Sequence, residues 1–443
     1  MKQLFSNCGI LAWQDDDFTY IPRGYLGIDG DTIRYIGVDR PDGDYDVIHD
    51  YEGRLLMPGL INSHCHAAMT LLRGVGSDLP LDRWLLEKIF PIEDRMTEAD
   101  MKAGNELAMM EMIASGTTSF SDMYMLPRTV IESNERIGMK MNLGRVIQSF
   151  DPNETAADTP RIPEALNLYE QYNGAQNGRI RIDFLVHAEY TTNDAVTSGF
   201  ADRCREYLDR GAQMQIHLSE TEKEHRECIQ RHGMTPAAWC EKMGLFDIPT
   251  AAAHCVWCTK ADLKILKRHN VSPVHNPSSN MKLGSGFAPV PEMLEMGLNV
   301  ALGTDGAASN NNLNMFEEMH IASIIHNGYH LNPTIMQPKQ ILRMATVNGA
   351  RLQGRHDTGK LEVGMKADII AIDFRNRAHL FPAFDPYVML VYAAQGSDVS
   401  MTMVDGKMLY EDGRFLTLDP ALVLKNARAA IERLYGGNEN ARG

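Results

Sequence analysis

A chain of 443 residues, 44% hydrophobic and 23% charged, has the makeup of a folded globular protein and is long enough for an α/β barrel with additions. A net charge of −15 sets the surface field against phosphate backbones and anionic lipid, so neither nucleic acid nor a membrane is an expected partner. No run of about 18 apolar residues occurs, the first thirty residues are too polar for a secretory leader, and seven irregularly spaced cysteines suit reduced thiols, so the expected location is cytoplasmic.

In chain order, YLGIDGDTIRYIGV (25–38) comes first and reads as strands broken by an Asp-Gly turn. Eight β-rich runs follow: LLMPGLINSH (55–64), TTSFSDMY (117–124), GMKMNLGRVI (138–147), RIRIDFLVH (179–187), QMQIHLS (213–219), TAAAHCV (250–256), VSPVHN (271–276) and NVALGTD (299–305). Between them lie stretches such as EADMKAGNELAMMEMIASG (98–116), apolar at three- and four-residue spacing and closed by a glycine, which is the pattern of βα units. Eight such units predict a (β/α)₈ barrel.

Turn-broken strands return in KADIIAIDF (366–374) and MTMVDGKMLYEDG (401–413), with a last helix expected at 419–436. The predicted organisation is a barrel over 57–360 and a small β-sandwich built from 1–56 and 361–443, joined near Gly364.

Strand one ends in His64-Cys65-His66, and because alternate strand residues share a face, the two imidazoles project together at the C-terminal mouth of a barrel. His217, His254 and Asp305 fall at the ends of strands five, six and eight, which the same architecture brings to one opening. Singly, each is as readily a packed histidine or a capping aspartate; five at four strand ends point to a metal centre. Three histidines and a carboxylate suit one zinc ion with a position open to water, and the fourth run, RIRIDFLVH, contains no lysine to bridge a two-metal centre. Zinc lowers the pKa of bound water from about 16 to about 7. Asp305 is placed to take a proton from that water, Glu220 in H-L-S-E to deliver one to the substrate, and His254 to steady the attacking oxygen. Cys255 and Cys258 form a C-x-x-C pair with no second pair to complete a zinc ribbon, so they are expected to be small core residues.

The motifs MPGLINSHCHAAMTLLRG (57–74), HLSETEKE (217–224), AHCVW (253–257), VHNPSSNMKLGSG (274–286) and LGTDGAASNNNLNMFEEM (302–319) span most of the chain. Together they resemble the 5′-methylthioadenosine/S-adenosylhomocysteine deaminase family of the amidohydrolase superfamily. The resemblance implies zinc, one ion per subunit, on His64, His66, His217 and Asp305, purine contact and proton transfer by Glu220, and assistance by His254. It further implies substrate contacts from Glu93, Arg145 and His187 as well as from Glu220 and Asp305. Cys65 departs from the threonine that relatives often carry.

A carboxylate such as Glu93 can accept both hydroxyls of a ribose diol, and Arg145 or Arg161 can pair with a substrate carboxylate, while Trp84 either covers a thioether or belongs to the core. The expected activity is hydrolytic deamination of an adenosine-type thioether nucleoside, a small-molecule substrate. Other readings are a different aminoheterocycle deaminase, a triazine chlorohydrolase or a non-catalytic scaffold. The preferred nucleoside, another divalent transition metal in place of zinc, and homo-oligomer formation stay open.

Overall fold

The computed structural model describes residues 1–125, 128–375 and 377–436. Five strands come first: β1 (Lys2–Gln14), β2 (Asp17–Asp29), β3 (Thr32–Gly37), β4 (Val47–Asp50) and β5 (Arg54–Pro58). The barrel strands are β6 (Leu60–Cys65), β7 (Thr117–Tyr124), β8 (Lys140–Ile147), β9 (Ile180–Ile182), β10 (Phe184–Val186), β11 (Met214–Leu218), β12 (Thr250–His254), β13 (Ser272–His275) and β14 (Ala301–Leu302). Four more end the set: β15 (Ile369–Asp373), β16 (Val399–Val404), β17 (Lys407–Glu411) and β18 (Arg414–Phe415).

The strands β6 to β14 pair in parallel and in chain order, with β9 and β10 both on β8 as one interrupted fourth strand. The Asp305 N–H donates to His64 O at 3.0 Å, and Thr304 N–H donates to Asn62 Oδ1 at 3.0 Å, so the last strand meets the first and the (β/α)₈ barrel is nearly closed. The interruption at Asp183 frees its buried carboxylate to accept from Asn142 (3.0 Å) and Gln215 (2.7 Å) inside the barrel.

The single strand expected over 55–64 is two strands in two different sheets. β5 pairs with β1 and β15, and the chain passes to the barrel at Gly59, where an added Cβ would lie 2.2 Å from the Thr118 side chain. Only a glycine allows that approach. The expected strand at 299–305 is likewise short, because β14 stops at Leu302 and the chain then turns to deliver Asp305.

The other nine strands form one sheet in the order β18-β17-β16-β15-β5-β1-β2-β3, with β4 beside β1. It curls over its own core, since Phe5, Leu26 and Ile33 of one end share an apolar cluster with Ile369, Met401 and Met403 of the other. Turns at Gly30 and Gly406 meet there, and the two chain ends thus make a single β-rich unit. The last helix, Pro420–Tyr435, does not join it. Its Ala427, Ala430 and Leu434 pack with Leu72 and Met101 on the barrel side, and Arg433 Nε donates to Asp100 Oδ1 at 3.1 Å.

Barrel and β-unit are also joined by charge. Lys140 Nζ, at the start of β8, lies 2.6 Å from Asp368 Oδ2 and 2.7 Å from Asp405 Oδ1 in a buried site. Removing one partner of such a group strands the others in low dielectric, at a cost of about 3–5 kcal/mol. Lys140→Met is therefore expected to lower the urea midpoint of unfolding by the equivalent of about 3–5 kcal/mol; an unchanged midpoint would show that the cluster does not hold the two units together.

Candidate functional site

His64 lies within β6 and His66 just beyond it, His217 lies in β11, and Asp305 stands three residues past β14. Their ligand atoms all lie within 4.8 Å of one another, and all four residues are buried. The neighbours dictate which atoms face inward. His66 Nδ1 donates to Met123 O at 2.6 Å and His217 Nδ1 donates to His187 O at 2.8 Å. A carbonyl oxygen only accepts, so each Nδ1 carries a proton and each ring turns its Nε2 to the centre. Those two Nε2 atoms are 3.2 Å apart. His64 Nε2 is buried without any hydrogen-bond partner.

Asp305 completes the set. Its Oδ2 accepts from Ser279 Oγ (2.6 Å) and Ser309 Oγ (2.7 Å), leaving Oδ1 at 3.2 Å from His66 Nε2 and 3.5 Å from His64 Nε2. Two facing Nε2 atoms, an imidazole nitrogen without a hydrogen bond and one carboxylate oxygen make a donor set that fits a divalent cation. Asp305 (φ 61°), His254 (φ 71°) and Ser219 (φ 47°) all adopt left-handed backbone, an unfavourable state for residues with a Cβ that ends each strand abruptly at the mouth.

Above the cluster is a cavity of about 380 Å³. Glu220 and His254 stand on one wall, with His254 Nε2 3.8 Å from Glu220 Oε2 and His254 Nδ1 2.8 Å from Asn280 Oδ1. Burial raises the Glu220 carboxyl above the usual range, toward the protonated form that a proton donor needs. Opposite, the segment after β6 forms a helical turn at Leu81–Trp84, widens to π geometry over Leu85–Ile89 and delivers Glu93. Burial raises Glu93 as well, opposed by Tyr124, whose hydroxyl donates to Glu93 Oε1 at 2.6 Å.

Trp84 is both core and wall: it is buried, its Nε1 donates to Val75 O at 2.9 Å, and it lines the cavity. His187 also lines it, with Nδ1 3.0 Å from Thr191 Oγ1. Arg145 does not. On β8, Val146 faces the cavity, so the alternate residue Arg145 points to the helix side, where its Nε donates to Glu164 Oε2 at 2.9 Å. Arg161 is the arginine in the cavity wall, its guanidinium held by Gln148 O. Tyr124, Tyr190, Phe90 and Ser309 also contribute walls that the sequence did not single out. For Tyr124 a signal existed, since it closes strand two, but an aromatic at a strand end is ordinarily core. All seven cysteines are unpaired and buried, Cys255 and Cys258 among them.

The amidohydrolase family model matches residues 55–409. The chain belongs to the amidohydrolase family. It is 40% identical, over 99% of both chains, to a 5-methylthioadenosine/S-adenosylhomocysteine deaminase of Caldanaerobacter subterraneus subsp. tengcongensis. A 5′-deoxyadenosine deaminase of Methanosarcina mazei is 42% identical over 97% of this chain and 98% of its own. Among solved structures, an adenosine deaminase from Xanthomonas campestris with bound zinc superimposes with a TM-score of 0.91 at 29% identity, covering 98% of each chain.

His217→Ala removes one of the four converging donors from this amidohydrolase. Metal content and turnover are expected to fall together, measured by elemental analysis and assay of the same preparation. Full metal occupancy with normal turnover would remove His217 from the centre.

Proposed function

We propose that the protein hydrolyses the C6 amino group of an adenosine-type thioether nucleoside, giving the inosine analogue and ammonia. The observation that carries this reading is one cavity joining the His64/His66/His217/Asp305 cluster to two further buried carboxylates, Glu220 beside His254 and Glu93 on Tyr124. The deaminase relatives at about 40% identity support it, as does the zinc-containing neighbour.

Zinc on His64, His66, His217 and Asp305 would supply the Lewis acidity that makes water nucleophilic at neutral pH. Asp305 accepts the proton that the water loses on attacking C6. Glu220 protonates the purine ring as the water attacks and takes a proton back from the C6 hydroxyl as the carbonyl forms. The proton held by Asp305 passes to the departing amine, so that water and the aminopurine yield the oxo product and ammonia and both carboxyl groups end as they began. His254, oriented through Nδ1 by Asn280, turns Nε2 to the attacking oxygen. Glu93 accepts from the ribose hydroxyls with Tyr124 fixing its orientation, His187 lies near the sugar, and the apolar wall of Met69, Trp84, Leu85 and Met123 suits a thioether. Arg161 is the cation available to a substrate carboxylate. The same reading puts the enzyme in the cytoplasm, where its unpaired thiols stay reduced.

A screen of adenosine, 5′-methylthioadenosine, S-adenosylhomocysteine and non-nucleoside amines by the ultraviolet change on deamination tests the reading directly, and inertness of the zinc-loaded protein toward every adenine nucleoside would overturn it. Glu220→Gln is expected to retain metal and lose most of its turnover, because an amide can hydrogen-bond to the purine but cannot pass a proton. Arg161→Met should weaken S-adenosylhomocysteine relative to adenosine by roughly ten- to a hundredfold in kcat/KM, the equivalent of a charge-assisted bond of about 1.5–3 kcal/mol. Arg145→Met measured alongside decides between the two arginines, since a larger selective loss there would return the tail to Arg145.

A further inference from the structure

Among the described residues, three helices begin with a threonine whose hydroxyl accepts the N–H three residues on, while the acidic side chain there reaches back toward the threonine N–H. In two of them the acid is aspartate and the return bond is short: Thr97 N–H to Asp100 Oδ2 at 2.7 Å, and Thr259 N–H to Asp262 Oδ2 at 2.8 Å. The third differs. At Thr221 the acid is Glu224, and the return bond to Thr221 N–H is the longest contact, 3.5 Å. The short bonds of Glu224 go beyond the cap: Ser219 N–H donates to Oε1 at 2.8 Å and Glu220 N–H donates to Oε2 at 2.7 Å.

The boxes at Thr97 and Thr259 satisfy their helix ends with no more reach than aspartate has. The extra methylene of Glu224 takes its carboxylate past that end into the turn 219–221, where the backbone is left-handed at Ser219. Glu224 is itself buried, and its two oxygens accept from the N–H groups of Ser219, Glu220 and Thr221. The turn it gathers carries Glu220, whose Oε2 stands 3.8 Å from His254 Nε2.

We propose that Glu224 is a positioning residue for Glu220: by holding the N–H groups of Ser219 and Glu220 on one buried carboxylate, it fixes the placement of the proton carrier. The inference rests on the reading of Glu220 given above. A reacting group displaced by about 1 Å can lose about a hundredfold in rate, so the effect belongs to kcat. Glu224 does not line the main cavity, and KM is expected to move little.

The test compares zinc-loaded Glu224→Asp, Glu224→Gln, Thr221→Ala and Glu220→Gln in metal content, thermal midpoint, kcat and KM for the best nucleoside of the substrate screen. Glu224→Asp converts this cap to the form of the other two, keeping the acid and the helix start while losing the reach to Ser219 and Glu220. It should keep full metal and a near-native midpoint, with kcat down about ten- to a hundredfold and KM changed less than about threefold. Glu224→Gln keeps the reach but turns an NH₂ toward one of the amides, and should also lose kcat. Thr221→Ala removes the helix cap itself, so it should lower the midpoint and leave kcat unchanged. A native kcat in both Glu224 variants overturns the inference, as does a kcat loss matched by loss of metal or by an equal loss in Thr221→Ala. An inactive Glu220→Gln beside fully active Glu224 variants would remove this inference alone, whereas an active Glu220→Gln would remove the reading of Glu220 and this inference with it.

Discussion

Two imidazole Nε2 atoms 3.2 Å apart repel one another unless a proton or a metal ion lies between them, and the mouth of this barrel is organised to keep them there. The hydrogen bonds of His66 to Met123 O and of His217 to His187 O lock the rings, and those carbonyls belong to the strand end of β7 and to the residue after β10. The site therefore depends on register between neighbouring strands as much as on its own donors. Were β10 to slip by one residue, the His187 carbonyl would leave His217 without its orienting acceptor.

The same economy of parts runs outward from the centre. Asp305 links β14 to β6 through its N–H and to Ser279 and Ser309 through Oδ2, so closing the barrel and aiming a donor oxygen are one event. Left-handed backbone at Ser219, His254 and Asp305 is costly, about 1–3 kcal/mol each, and persists only where surrounding bonds over-determine it. Those bonds are visible: Glu224 on the Ser219 amide, Asn280 on the His254 ring and two serines on Asp305. Stability is thus drawn on at the mouth and restored elsewhere, by the apolar core between strands and helices and by the Lys140 cluster that ties the barrel to the β-unit.

The cavity divides by chemistry. Its floor is polar and converging, its side wall is built of Met69, Met123, Trp84 and Leu85, and its carboxylate on the far side, Glu93, is held by a tyrosine. A flat heterocycle bearing an apolar sulfur substituent and a diol matches that division better than a compact amine does. The segment that supplies Trp84 and Glu93 packs through Leu72 and Met101 on the last helix, so that helix braces the cavity wall.

Strand alternation, Asp-Gly turns and the H-x-H pair are local patterns, so the sequence by itself determined the barrel, the turn-rich ends and the convergence of His64, His66, His217, His254 and Asp305 at one mouth. What it left open was everything set by register and long-range packing. Both faces of β8 are buried, so alternation alone does not say which faces the cavity, and only the tertiary structure turned Val146 inward and Arg145 toward Glu164. The break at Gly59 was hidden because two apolar strands in separate sheets read as one run, and the docking of the last helix because an amphipathic face does not name its partner. Tyr124 on Glu93 and Glu224 beneath Glu220 show the same limit, since the sequence carried their chemistry while only folding decided which atom each one meets.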